Sequence, residues 1–194
     1  MTRLLVHAGP NGSGKSSLRD QDAQPDPVEV VIDPDQIARG LNPANPRAAG
    51  RTAGKAALTL FGHSLAAHRS ISLETTLAGP SVLRRFRAAK AAGYDIELRY
   101  VALETVALNI QRVCGACRQE RPFIAPADIR RRYSASLANL PEALAIVDRG
   151  ILADNSGAVH RVVLEMAEQR ITRTVPDLPG WLLPLMPQIR SLRS

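Results

Sequence analysis

Aromatic side chains make up only 4% of this 194-residue chain, and it has two cysteines, four histidines and one tryptophan. So few rings leave little for stacking on nucleobases, which makes a nucleic-acid partner a poor expectation despite a net charge of +7 and a pI near 10.2. Two cysteines cannot form a disulfide framework, and the C-x-x-C of Cys114 and Cys117 has no second pair. With His7, His63, His68 and His160 all distant in sequence, zinc or redox chemistry is disfavoured, and a buried or half-buried pair on one helix face is expected. No apolar run is long enough to cross a bilayer. Met1-Thr2-Arg3 leads straight into an apolar strand, so neither a membrane nor a signal peptide is expected and the cytoplasm is the default location. With 45% hydrophobic residues the chain is globular and long enough for one sizeable core.

Glycine, by contrast, is concentrated where it matters. Gly9-Pro10-Asn11-Gly12-Ser13-Gly14-Lys15-Ser16 follows the apolar run Leu4-Leu5-Val6-His7-Ala8 and fills every position of G-x-x-x-x-G-K-[ST]. Read as strand, phosphate loop and helix, the spacing lets the backbone curl so that its N–H groups face phosphate oxygens at a helix start. The nucleotide set is then Gly9, Asn11, Gly12, Ser13, Gly14, Lys15, Ser16 and Ser17, with Lys15 reaching the β- and γ-phosphates of ATP and Ser16 holding Mg²⁺.

Val28-Glu29-Val30-Val31-Ile32 reads as a short strand ending in Asp33-Pro34-Asp35, and ligands of open α/β sheets bind at such carboxyl ends. Pro34 suits the start of a helix, which makes an N-cap the structural alternative for Asp33. A long alanine-rich helix is expected over Arg47–Arg69, then a third strand Ile71–Thr76 that presents Glu74 and Thr75 at its end. Glu74 would hold Mg²⁺ through water or bind a substrate hydroxyl, unless it pairs with a neighbouring arginine. A helix from Pro80 to Gly93 precedes a fourth strand over Tyr94–Leu103.

The next helix, about Glu104–Arg118, carries Arg112 and Arg118 toward a segment bracketed by Pro122 and Pro126, with Arg121 inside it. Arginines on a movable flap at about 112–127 suit phosphoryl transfer, because the guanidinium fork stabilises charge spread over the transferred group. Asp128–Leu140 reads as a helix broken before Pro141, and its Arg130-Arg131-Arg132 triplet could face the nucleotide or the solvent. Ile151–Gly157 is a strand running into a turn where Asn155 would meet the nucleotide. Beyond about residue 160 four prolines suggest an irregular cover, giving a main domain over 1–160 and an extension over 161–194 packed on it.

In order, these pieces resemble the zeta-toxin-like P-loop kinases: Gly9–Ser16, Ile32–Ala38, Gly40-Leu41-Asn42-Pro43, Leu73-Glu74-Thr75-Thr76, Ala92-Gly93-Tyr94, Arg112-Val113, Ile129–Tyr133, Ser136–Leu140 and Asp154-Asn155-Ser156. The resemblance implies a three-layer α/β/α P-loop fold, with a central, mostly parallel sheet and a small helical lid. It implies ATP-dependent phosphorylation of a hydroxyl on a small substrate such as UDP-N-acetylglucosamine, and an antitoxin partner where the enzyme is a toxin. Asp35 matches the catalytic base, Lys15 the phosphate-loop lysine and Arg112 the first lid arginine, with Arg121 added to the catalytic set. Arg118 and Asn155 join the nucleotide set, and Asp33, Glu74, Thr75, Asn42 and Lys55 the substrate set. Where relatives continue the lid with a second Arg-Val pair and Gly-Gly-His, this chain has Ala116-Cys117 and Glu120-Arg121-Pro122, so Arg118 or Arg121 would have to replace an arginine. Two other readings stay open: a non-toxic kinase of a metabolite or antibiotic, and a nucleotide-binding module with weakened catalysis.

Overall fold

The computed structural model describes residues 1–21, 28–117 and 124–192. Its centre is a seven-stranded sheet in the order β2-β3-β1-β4-β5-β6-β7. The strands are β1 (Arg3–Ala8), β2 (Val30–Ile32), β3 (Ile71–Thr75), β4 (Asp95–Ala102), β5 (Arg149–Asp154), β6 (Arg161–Ala167) and β7 (Arg170–Thr174). β1 to β5 run parallel, β6 runs antiparallel to β5, and β7 runs antiparallel to β6. Near-continuous apolar runs such as Leu4-Leu5-Val6 suit strands buried on both faces. β1 lies between β3 and β4, with Ala8 level with Thr75 and Tyr100, so the chain leaves β1 at the middle of the sheet's carboxyl edge.

The helices are α1 (Lys15–Gln21), α2 (Pro34–Leu41), α3 (Gly50–Ala66), α4 (Pro80–Ala91), α5 (Val106–Cys117), α6 (Pro126–Ile146) and α7 (Met186–Ser191), which complete a three-layer α/β/α architecture. Asp33 caps α2, accepting from the N–H groups of Asp35 at 2.9 Å and Gln36 at 3.2 Å, and Pro34 opens that helix with its missing donor at a position that needs none. α4 ends as expected: Gly93, at φ +80°, donates to the carbonyl of Lys90. No described helix is long and apolar enough to cross a membrane.

Two local expectations do not hold. α6 does not stop before Pro141 but runs through it to Ile146. Pro141 is itself buried, and apolar burial of Leu140, Ala143 and Leu144 against the sheet outweighs the one lost N–H donor. Nor is the chain beyond 160 an irregular cover: residues 161–174 form β6 and β7, which continue the sheet antiparallel from β5. Irregular chain is confined there to residues 175–182, between β7 and the short helical turns at the end. That stretch is pinned by Trp181, whose indole N–H donates to Asp154 Oδ2 at 2.9 Å while its ring lies 5.9 Å from that of Tyr100. The segment 112–127 expected as a lid begins inside α5 and ends in the first residues of α6, and its residues 118–123, with Arg118 and Arg121, lie outside the described residues.

Candidate active site

The loop Gly9–Gly14 joins β1 to α1 and is shaped by close approaches that no side chain could share. Gly9 has φ +145°, and a Cβ there would lie 2.0 Å from the carbonyl oxygen of Val101. Gly14 has φ +97°, and a Cβ would meet Asn155 Nδ2 at 2.3 Å. The Gly9 N–H donates to Thr75 O at 3.2 Å and the Ser13 N–H to Pro10 O at 3.2 Å, fixing the ends of the curl. Within it, the N–H groups of Asn11, Gly12 and Gly14 have no hydrogen-bond partner among the described residues. Main-chain donors are rarely left so, and a row of them in a glycine loop is a cradle for anionic oxygens.

Lys15 is buried at the end of this cradle, and its Nζ donates to Pro10 O at 3.2 Å. Burial pushes its ammonium pKa down, the charges of Glu74, Asp35 and Asp33 push back, and Arg132 adds to the lowering. That balance places three carboxylates and a second cation around one lysine. Ser16 Oγ donates to the Glu74 carboxylate, 3.3 Å from each oxygen. A hydroxyl beside a carboxylate at the end of a phosphate loop is the hard-oxygen donor set that suits Mg²⁺, which also takes phosphate oxygens and water. No cluster of three or more metal-ligating acidic, histidine or cysteine side chains exists among the described residues. That is compatible with Mg²⁺, which is normally held by one or two protein oxygens.

Asp35, in the first turn of α2, is exposed and faces Lys15 through its field; Asp33 is buried and spends one oxygen on the helix cap. Asp33 is thus the helix cap expected as its structural alternative, and its charge also acts on Lys15. On the far side, Asn155 Nδ2 donates to Ser13 O at 2.8 Å, and its own main-chain carbonyl accepts from Arg112 Nη2 at 2.7 Å. Thr75 accepts from the Leu77 N–H at the end of β3 and holds the turn there. Asn42 and Lys55 are not drawn in: Asn42 Oδ1 accepts from the Asn45 N–H in the turn after α2, and Lys55 is exposed on α3. Ser17 is exposed on α1.

Cys114 is exposed rather than buried, because α5 turns Asn109, Arg112 and Val113 toward the loop and leaves Cys114 on the outer side. Asn109 reaches the site without having been singled out from the sequence, and of the Arg130-Arg131-Arg132 triplet, left open between nucleotide and solvent, it is Arg132 that turns toward the loop. Asn109, wholly buried, donates from Nδ2 to Asn11 O at 2.7 Å, and Arg132 Nη1 donates to Asn11 Oδ1 at 3.2 Å. A signal for the second existed: Arg132 is three residues after buried Ile129 and four before buried Ser136, so it shares their face, whereas Arg130 and Arg131 point to solvent.

No protein-family model matches the chain. Among solved structures it superposes on a chain of the AvrRxo1-ORF1:AvrRxo1-ORF2 complex with sulphate ions (TM-score 0.73, 12% identity, 89% of this chain and 60% of that one). In the complex with ATP the TM-score is 0.72 at 12% identity, covering 100% of this chain and 65% of that one. The chain thus spans less than two thirds of the length of either match. The PezAT chromosomal toxin-antitoxin system of Streptococcus pneumoniae matches with TM-score 0.56 and 15% identity, over 100% of this chain and 87% of that one. These are likenesses of fold alone. By sequence, an uncharacterized protein of Haemophilus influenzae is 38% identical over 133 residues, 68% of this chain and 92% of its own length. The chain belongs to the family of that Haemophilus influenzae protein, and its fold is three-layer α/β/α with a mostly parallel sheet.

Proposed function

We propose that this protein is a kinase that transfers the γ-phosphoryl group of ATP to a hydroxyl of a small substrate. The observation that carries the reading is the buried Lys15 among Asp33, Asp35 and Glu74, at the end of a loop whose Asn11, Gly12 and Gly14 amides have no partner among the described residues. The amides and Lys15 would bind the triphosphate, and Asn155 would meet the nucleotide beyond Gly14. Ser16 and, through water, Glu74 would hold Mg²⁺, which when bound neutralises charge on the β- and γ-phosphates. Asp35 would accept the proton of the attacking hydroxyl: being exposed, it is open to an acceptor, and being close to Lys15, it stands beside the γ-phosphate.

For the acceptor we propose a nucleotide-activated amino sugar such as UDP-N-acetylglucosamine, on the motif resemblance of residues 9–16, 32–43, 73–76 and 154–156. Asn42, Thr75 and Lys55 would line that side once the acceptor is bound. The likeness to the PezAT toxin-antitoxin system supports a toxin with an antitoxin partner, and the likeness to the AvrRxo1 complex with ATP supports the nucleotide.

The test is transfer of labelled phosphate from Mg·ATP to a panel of nucleotide sugars, aminoglycosides and simple sugars, by the wild type and by Asp35→Ala. Transfer to a nucleotide sugar that falls about 10²-fold or more in the variant is expected. Equal transfer by both proteins removes Asp35 as the base. A second reading, a nucleotide-binding module without transfer, is favoured by Ala116 standing where a second lid arginine is expected. Tight ATP binding with no transfer to any acceptor would select it.

A further inference from the structure

We infer that Arg132, on α6 outside the lid, is the guanidinium that stabilises the transferred phosphoryl group, while Arg112 serves to hold the nucleotide loop in place. The inference rests on the kinase reading above and adds a residue to it. Arg132 Nη1 sits 3.2 Å from the side-chain oxygen of Asn11, inside the phosphate loop, and Arg132 makes no ion pair among the described residues. Its neighbour Arg131 is instead paired with Asp128 at 3.0 Å, on the solvent side. A guanidinium has five donors, and one contact to an amide oxygen leaves most of them for another acceptor. Its charge acts on Lys15. Arg112 is committed elsewhere, donating to the main-chain carbonyl of Asn155 at 2.7 Å, and Asn155 in turn holds Ser13 O.

The helix that carries Arg132 is fastened on both sides of it. Tyr133, the next residue, donates to Leu103 O at 3.1 Å, Ser136 and Tyr100 share a hydrogen bond of 2.9 Å between their hydroxyls, and Ile129 is wholly buried. A charge on such an anchor is preorganised and needs no loop closure to arrive. In the transfer step the acceptor oxygen forms a bond to the γ-phosphorus, the bond from that phosphorus to the bridging oxygen of ADP breaks, and its electron pair stays on ADP. The acceptor proton passes to Asp35. Arg132 is unchanged, and its two-pronged charge faces the equatorial oxygens as negative charge spreads over them.

The test uses a probe that needs no acceptor. The affinity for Mg·ADP is measured by calorimetry with and without aluminium fluoride, which mimics the planar phosphoryl group, for the wild type, Arg132→Gln, Arg132→Lys and Arg112→Ala. Gln keeps a donor for Asn11 and removes the charge, and thermal melting checks that each variant is folded. The expected result is tightening by fluoride in the wild type, lost in Arg132→Gln and mostly lost in Arg132→Lys, with affinity for Mg·ADP alone unchanged within about threefold. Arg112→Ala is expected to weaken Mg·ADP itself and to keep the tightening. Once an acceptor is known, kcat of Arg132→Gln is expected to fall about 10³-fold with KM for ATP little changed. Equal tightening in wild type and Arg132→Gln overturns the role of Arg132 and leaves the kinase reading intact. Nucleotide binding with no tightening in the wild type overturns both.

Discussion

The two ends of the parallel strands both gather charges and use them in opposite ways. At the amino end, where β1, β4 and β5 begin, the charges close on one another. Arg149 bonds Asp95 at 2.7 Å and Glu97 at 3.2 Å, Arg3 bonds Glu97 at 3.2 Å, and Arg99 bonds it at 2.7 Å. Lys90 of α4 pairs with Asp148 just before β5. At the carboxyl end, Lys15 donates to a main-chain carbonyl, and Asp33, Asp35 and Glu74 act on it through their fields. Charges that complete one another inside the chain hold elements together. At the other end the charges surround a loop whose Asn11, Gly12 and Gly14 amides have no partner among the described residues, which is the contrast the proposed nucleotide site rests on.

If that division is right, substitutions at the two ends should separate activity from stability. The largest effect is expected from Lys15→Ala, which should lower phosphoryl transfer by about 10³-fold or more, equivalent to roughly 4 kcal/mol, while the thermal midpoint moves little. A melting point that collapses with the activity would break the contrast. Glu97→Gln should do the reverse: this buried carboxylate faces three guanidinium groups, and losing it should cost about 3 kcal/mol in urea unfolding with nucleotide affinity preserved in the folded fraction. Trp181→Phe removes the indole donor to Asp154 and should cost about 1 kcal/mol, with a small loss of nucleotide affinity because Asp154 adjoins Asn155.

The smallest effect is expected from Asp148→Asn, about 0.5–1 kcal/mol, and it carries a pH signature. Burial raises the Asp148 pKa, but the Lys90 hydrogen bond, the Ile96 N–H and the charges of Lys90 and Arg149 outweigh it and hold it below 3.8. A folded pKa below the unfolded one means the contribution is complete above 3.8 and fades as the pH falls through the folded value. The stability gap between wild type and Asp148→Asn, measured by urea titration, should therefore be constant near neutral pH and shrink in acid. A gap that widens in acid would reverse the sign assigned to this pair.

How much of the fold and site was legible from residues alone depends on the range of each signal. The phosphate loop, the Asp33-Pro34-Asp35 turn and Glu74 at the end of β3 were readable because the information lies within a few consecutive residues: spacing, a cap, a strand terminus. Pro141 misled because its local veto on helix is overridden by burial that only the assembled sheet provides. β6 and β7 carry exposed arginines and weak alternation, so their strand character comes from the pairing of β6 with β5 and of β7 with β6 and not from their own pattern. Asn109 was missed, and Arg132 left undecided within its triplet, for a similar reason. Each meets Asn11 from 98 and 121 residues away, and only the fold brings them together.

The outer strands have a consequence for the protein in concentrated solution. Of the described strands, β2 and β7 lie at the margins of the sheet. β2 offers three residues to a visiting strand, and β7 presents exposed Arg170 and Arg173. Short or cationic margins are poor templates for cross-molecular ladders. The sheet is thus guarded against edge-to-edge polymerisation at the very sites where a seven-stranded sheet would otherwise recruit its neighbours, and light scattering on heating should show aggregation only after the core itself has melted.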